Sequence, residues 1–375
     1  MTVMQSVPLD LELSDNPVEL LSQTLAAAGG VIKTRNSAGV EIVYFHPDAE
    51  WLAAFHASER SGALVNHNTP AIEDLFAGTV FILSGRTHME ARKRLFRFFG
   101  SHDRWQDEVA FIVDSWARRA TEARKIDILE QTRMLAVGIF TKVALGLNPA
   151  SEDGEHVAKV VWEFVRGAVE ASSASPDLTA LRRALVARDE LFRLTLEAGA
   201  ESGPSFASHC LQQYPSQEGI RDIASVLIAS VETTANMLAW TIARWALAPA
   251  PEREDVEGFA RRIEALDSPN TIIMRRATAP MFFHGISLKP GTLLAYSPAA
   301  DRGNGPGVTD DQVTFGSGSR SCPGRSMARY IVRCTLRALA AQSSPWTIVD
   351  GVLPRPIAWF PVRTFGLGIN LRTSA

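Results

Sequence analysis

Cys322 stands in the segment Phe-Gly-Ser-Gly-Ser-Arg-Ser-Cys-Pro-Gly-Arg-Ser-Met-Ala-Arg, residues 315–329, where a glycine-rich loop runs into a helix. Such an arrangement offers one thiolate to a metal. Gly318 and Gly324 let the backbone take positive φ or come close to a flat ligand, and Pro323 suits the first turn of a helix. The dipole and free N–H groups of a helix start favour an anion, which predicts a lowered thiol pKa at Cys322. Zinc and iron–sulfur sites need several cysteines at set spacings, so a lone thiolate fits a haem iron better.

The second chemical pair is Glu232-Thr233, set in the nearly uncharged stretch Ile-Ala-Ser-Val-Leu-Ile-Ala-Ser-Val-Glu-Thr-Thr-Ala-Asn-Met-Leu, residues 223–238. An unpaired ionised carboxylate is costly in such surroundings. Thr233 can bond back to the carbonyl of Ala229, four residues earlier, and open a local groove in the helix. A structural Glu–Arg pair, with a threonine that only bends the helix, is the other reading of the same two residues.

The spacing Phe-x-x-Gly-x-x-x-Cys-x-Gly at Phe315, Gly318, Cys322 and Gly324, followed by Met327-Ala328-Arg329, closely resembles the haem-ligand signature of the cytochrome P450 family. The resemblance implies that Cys322 is the axial ligand of haem b, that Phe315 packs beside the sulfur, and that Arg320 contacts a haem propionate. It extends to Ala229-Ser230-Val231-Glu232-Thr233, which fits the family's small-small-x-acid-Thr except that serine replaces the commoner glycine. By the same resemblance Ala229 borders the haem, Thr233 donates to bound dioxygen, and Glu232 relays protons so that O–O cleavage is productive. His88 and Arg92, four apart on one helix face, match a His-x-x-x-Arg of bacterial members, and Arg275 matches a further propionate ligand.

The chain also departs from that family. Aligning Leu266–Pro269 puts Arg262 where a glutamate belongs and Ala265 where an arginine belongs, so the Glu-x-x-Arg motif is absent. Residues 303–314, between Arg302 and Phe315, form a shortened loop where the third member of that ionic triad would sit. Removing a whole buried network can be nearly neutral whereas removing one partner is expensive, so the triad reads as replaced as a unit.

The elements that must position these residues are mostly helical. Helical periodicity marks Asp48–His56, His88–Phe99, Trp105–Ala123, Asp127–Leu147, Glu155–Ala171, Leu178–Ala198, Phe206–Gln213 and Gly219–Ala248. Val31–Phe45 reads as a hairpin around Arg-Asn-Ser-Ala-Gly, and short strands return near Arg275–Leu294 and Ile357–Leu371. With no repeat or low-complexity run, the expectation is one haem-binding domain over residues 1–375, mainly α with a small β region, in the cytochrome P450 fold.

A net charge of −3 leaves no basic field for nucleic acid, and three cysteines, Cys210, Cys322 and Cys334, argue against a disulfide framework. The N-terminus shows no anchor and no window reads as a membrane span, which predicts a cytoplasmic protein of the bacterial type. Arg325, Arg329, Arg333 and Arg337 recur every four residues and suggest a docking stripe for a ferredoxin-type electron donor. Asn66–Ser84, Val165–Leu181, Asn270–Met274 and Thr364–Gly368 fall where the family shapes its substrate pocket; Ile272–Met274 and Phe365 read as apolar walls, Asn270 and Thr271 as polar contacts.

The function expected is a haem-thiolate monooxygenase acting on a small molecule or one bound to a carrier protein, in specialised-metabolite biosynthesis. Oxidative coupling, desaturation or peroxide-driven oxidation is one alternative. A catalytically silent partner of another enzyme is the other.

Overall fold

The computed structural model describes residues 5–6, 9, 11, 17–36, 39–67, 70–99, 102–123, 125–171, 177–200, 205–208, 217–266, 269–270, 272–298, 314–342, 346–350 and 370–373. In chain order these give β1 (Gln5–Ser6), α1 (Pro17–Ala27), β2 (Val31–Arg35), β3 (Glu41–Phe45), α2 (Ala49–Arg60), β4 (Leu64–Asn66) and α3 (Pro70–Leu75). Then follow α4 (Gly85–Phe99), α5 (Gln106–Glu122), β5 (Lys125–Asp127), α6 (Ile128–Phe140), α7 (Glu152–Ala171), α8 (Leu178–Ala200) and α9 (Gln217–Leu247). The remainder is α10 (Ala250–Glu254), α11 (Val256–Leu266), β6 (Ile273–Ala277), β7 (Met281–Phe283), β8 (Ile286–Leu288), β9 (Leu293–Tyr296), α12 (Arg325–Ala340), β10 (Trp346–Asp350) and β11 (Asn370–Thr373).

Helix starts are set by side chains that take up free N–H groups. Asp48 accepts from Trp51 N at 2.8 Å and Asp127 from Glu130 N at 2.9 Å, so α2 and α6 begin where the sequence expects them. Two helices start three residues earlier than periodicity suggests. The Ser151 hydroxyl accepts from Gly154 N at 3.2 Å and starts α7 at Glu152, and the Ser84 carbonyl accepts from His88 N, extending α4 back to Gly85. The helix predicted over Asp127–Leu147 changes pitch: a π turn covers Thr141–Leu145 and Gly146, at φ 78°, ends it. Only residues 206–208 of the predicted Phe206–Gln213 helix, and residues 370–371 of the predicted Ile357–Leu371 strand region, lie within the described residues.

Among the described residues, β1-β2-β3-β9-β6-β4 form one sheet in that order, β10-β11-β5 a second, and β7-β8 a hairpin. The predicted hairpin is present, with Val31 opposite Phe45 and Arg35 opposite Glu41. The architecture is thus mainly α with a small β region. At its centre α9 packs against α4, α6, α8 and α12. Ile223, Leu227, Val231, Leu238 and Ile242 are fully buried there, each contributing about 1.5–3 kcal/mol. By length and composition Gly219–Leu247 could cross a membrane, but it is buried inside the fold.

Candidate active site

The loop before α12 is built around two glycines in the left-handed region, Gly316 at φ 69° and Gly318 at φ 66°. A Cβ on Gly318 would come within 2.7 Å of the His56 ring, so only glycine fits between loop and α2. The Cys322 N–H donates to the Phe315 carbonyl at 2.7 Å and closes the loop on itself. Gly324 behaves differently from expectation. It is the N-cap of α12 with φ −87°, and a Cβ there would meet Phe99 only in ordinary contact at 3.6 Å. Pro323 therefore precedes the helix rather than opening its first turn.

Cys322 is partly exposed, and the Gly324 N–H reaches its sulfur. The lowered pKa expected from the helix start is not what the fold produces. Burial pushes the thiol up, and the Gly324 N–H with the Arg92 and Arg325 guanidiniums only partly offsets it.

Beside this loop the structure gathers His88 and Arg92 from α4, Arg275 from β6 and Arg320 from the loop itself, close enough to influence one another. His88 is buried, and burial with the Arg320 and Arg92 guanidiniums pushes its pKa down to about 4. Burial also lowers Arg320 to about 10. Arg92 donates to the Ser321 carbonyl, and Arg320 Nη2 donates to the Leu83 carbonyl at 2.7 Å.

Sequence reasoning missed the anion of this cluster. Glu59, on α2, accepts from Arg275 Nε at 2.5 Å and lies 3.8 Å from Arg320 Nε. Its other oxygen is 2.7 Å from His56 Nδ1, and His56 Nε2 is 2.6 Å from the Ser317 hydroxyl. Burial alone would raise the Glu59 pKa, but the His56 hydrogen bond and the Arg275 charge overcome it and hold it at about 2. The helix periodicity of α2 offers no hint of this partnership, because Arg275 comes from β6 and Arg320 and Ser317 from the cysteine loop, both far along the chain.

Along residues 222–243 of α9 the burial pattern opens at one place. Ala229, Ser230 and Thr233 are partly exposed while their neighbours are buried, and these three share one helix face. Thr233 Oγ1 donates to the Ala229 carbonyl at 2.7 Å, the back-bond anticipated from the spacing. Glu232 is buried on the adjoining face, where Arg133 of α6 grips it through Nε at 3.2 Å and Nη2 at 2.6 Å. The Arg133 guanidinium also lies 5.5 Å from the Trp162 ring centre. The structural-pair geometry is therefore real, and Thr233 and Glu232 look in different directions.

Other expectations are redirected. Arg262 turns outward to Glu252 at 2.6 Å, with both side chains about half exposed. The arginine stripe on α12 is not a bare positive field: Arg329 pairs with Glu264, Arg333 lies 3.5 Å and Arg337 2.5 Å from Glu257, all on α11. Helix–helix contact accounts for most of its charge. Ile272 and Met274 pack against the cluster containing Leu21, Leu25 and Ile42, and Ile273 against that containing Val31 and Phe45, and all three remain partly exposed. Thr271, Phe365 and the shortened loop at residues 303–313 lie outside the described residues.

No protein-family model and no curated protein matches the sequence. Solved structures do: the chain has the cytochrome P450 fold. It is similar to P450BioI, solved in complex with an acyl carrier protein ligated to hexadec-9Z-enoic acid, at 16% identity and TM-score 0.76 over 94% of this chain and 98% of that one. CYP109E1 from Bacillus megaterium, in complex with testosterone, is 18% identical with TM-score 0.73 over 96% of this chain and 100% of that one. P450 OxyD, involved in the biosynthesis of vancomycin-type antibiotics, is 18% identical with TM-score 0.71 over 94% and 95%.

The fold implies a haem, and the residues present fit one. Among the described residues, Arg92, Arg275 and Arg320 stand against one carboxylate, that of Glu59, which leaves an excess of two positive charges in a mostly buried cluster. A ligand with two carboxylates neutralises them. Cys322 is partly exposed, as are Ala229, Ser230 and Thr233 on one face of α9.

Proposed function

We propose that this chain is a single-domain haem-thiolate monooxygenase over residues 1–375 that inserts one oxygen atom of dioxygen into a small organic substrate. The second oxygen atom leaves as water, at the expense of two electrons and two protons. A ferredoxin-type donor supplies the electrons, and the substrate is a free small molecule or one tethered to a carrier protein, in bacterial specialised-metabolite biosynthesis. The similarity to P450BioI with its acyl carrier protein and to OxyD supports that setting. The observation that carries the reading is the juxtaposition of the Cys322 loop with a buried cluster bearing an excess of two positive charges.

Bound haem, held by Cys322 at its iron and by Arg92, Arg275, Arg320 and His88 at its propionates, supplies the oxygen-activating chemistry. His88 enters as a neutral donor because its pKa lies near 4. Thr233 places its only hydroxyl proton on the Ala229 carbonyl, so it offers lone pairs to a water on the partly exposed face of α9 and becomes a donor by rotating away. Glu232 has both oxygens engaged by Arg133, whose side chain is 25% exposed. Proton delivery through Glu232 requires that grip to open towards solvent.

The test is the absorbance spectrum of the purified protein reduced with dithionite and exposed to carbon monoxide. A strongly red-shifted Soret band is expected, and its loss in Cys322→Ser assigns the ligand. No haem uptake after reconstitution would put the partner-protein reading in its place.

A further inference from the structure

Glu264, near the end of α11, touches both ends of the cysteine loop. Its carbonyl accepts from the Thr314 hydroxyl at 2.9 Å, immediately before Phe315. Its carboxylate accepts from Arg329 Nε at 3.0 and 2.8 Å on its two oxygens, and from Arg329 Nη2 as well. Arg329 lies in the second turn of α12, and its guanidinium sits 5.1 Å from the centre of the Phe315 ring. Phe315 in turn accepts the Cys322 N–H. The chain of contacts is closed: Glu264 to Thr314 and Phe315, Phe315 to Cys322, and α12 back through Arg329 to Glu264.

We propose that Glu264 and Arg329 are positioning residues for Cys322, forming a clamp that fixes the two ends of the ligand loop at one point on α11. The proposal rests on the haem-thiolate reading for its purpose, though the clamp itself is a property of the metal-free chain. Three features separate it from an ordinary surface ion pair. The Glu264 side chain is 10% exposed and Arg329 27%, so the pair is partly desolvated. The bond is bidentate, which fixes orientation as well as distance. A carboxylate that holds the guanidinium also flattens it over Phe315, the residue whose carbonyl anchors the cysteine.

The same two helices carry an internal control. Glu257, seven residues and about 10 Å earlier on α11, meets Arg333 and Arg337 at the far end of the contact. It joins α11 to α12 without touching the loop.

The experiment compares E264Q, R329Q and E257Q in a Cys210→Ser, Cys334→Ser background, where Cys322 is the sole thiol. Alkylation of Cys322 by iodoacetamide in the haem-free protein is expected to accelerate about tenfold or more in E264Q and R329Q, because local opening of the loop no longer breaks a charged hydrogen bond. E257Q is expected to match wild type, and E264Q/R329Q to be no faster than either single variant. After haem reconstitution, E264Q and R329Q should shift carbon monoxide complexes from the thiolate to the thiol form while E257Q does not. E264D, which keeps the charge but retracts it, serves where E264Q does not fold and should be intermediate. Equal alkylation rates in all variants overturn the clamp. Wild type that shows no red-shifted band, with alkylation rates still separated, overturns the haem-thiolate reading and leaves the clamp standing.

Discussion

Glu59 Oε1 sits 2.5 Å from Arg275 Nε, which places a buried carboxylate inside the group of cations that the cysteine loop faces. Without it the three guanidiniums would be crowded with no carboxylate of the described residues among them. With it, the excess is two charges rather than three, and a dicarboxylate ligand closes the balance. Glu59 also ties this cluster to the loop through His56 and Ser317.

Glu59→Gln should therefore destabilise the haem-free protein by about 3–5 kcal/mol, the cost of breaking a buried ion pair. The haem-induced rise in Tm should be larger in the variant than in wild type, because a bound dianion then relieves more repulsion. Denaturant melts with and without haem check both. The pH dependence has a definite sign. Glu59 titrates near 2 in the folded chain and in the ordinary carboxylate range when unfolded, so its contribution is full above that range and is lost as pH falls towards about 2.

His88 acts at higher pH. Its folded pKa of about 4 lies below the unfolded value of 6.5, so the unfolded chain binds the extra proton between those two values. Stability of the haem-free protein should fall as pH drops from 6.5 to about 4, by up to about 3 kcal/mol. His88→Gln should flatten this part of the stability profile. A profile as steep as that of wild type would mean that another histidine carries the effect.

The fold and the identities of most site residues were legible because they rest on local signals. Glycines, a lone cysteine, a charge in an apolar helix and four-residue spacings are all written along the chain. What stayed hidden depends on segments far apart in sequence. Glu59 meets Arg275 across 216 positions and Arg329 meets Glu264 across 65, and nothing in α2 or α11 marks those carboxylates out from solvated neighbours. The arginine stripe shows the same limit: its spacing is visible, but its partners on α11 are not. The thiol pKa went the other way because a helix start is a local feature, whereas burial is set by the whole fold.

Thr233→Ala should leave the fold intact, costing at most about 1 kcal/mol since its hydroxyl bonds within α9, to the Ala229 carbonyl. In turnover it should divert electrons to peroxide, seen as more hydrogen peroxide and less product per NAD(P)H consumed. Thr233→Ser, which keeps the hydroxyl, should retain most of the coupling. Glu232→Gln keeps one acceptor for Arg133, sets its NH2 against the other donor and cannot carry a proton as a carboxylate does, so its coupling should fall and its stability drop by about 1.5–3 kcal/mol. Unchanged product-to-peroxide ratios in both positions would reduce Glu232-Thr233 to the structural pair.

Arg262 tests how the missing Glu-x-x-Arg motif is to be understood. If the network were simply damaged, Arg262→Glu would begin to rebuild it and improve haem retention. The structure points the side chain outward instead, to an exposed pairing with Glu252 and across the Phe259 ring at 5.2 Å. A glutamate there faces another carboxylate and has no inward partner, so the variant should lose up to about 1 kcal/mol and gain no haem. The ratio of Soret to protein absorbance after reconstitution reads this directly. Clearly higher occupancy would show that position 262 turns inward once haem is bound, and that the helix end carrying Glu264 rearranges with it.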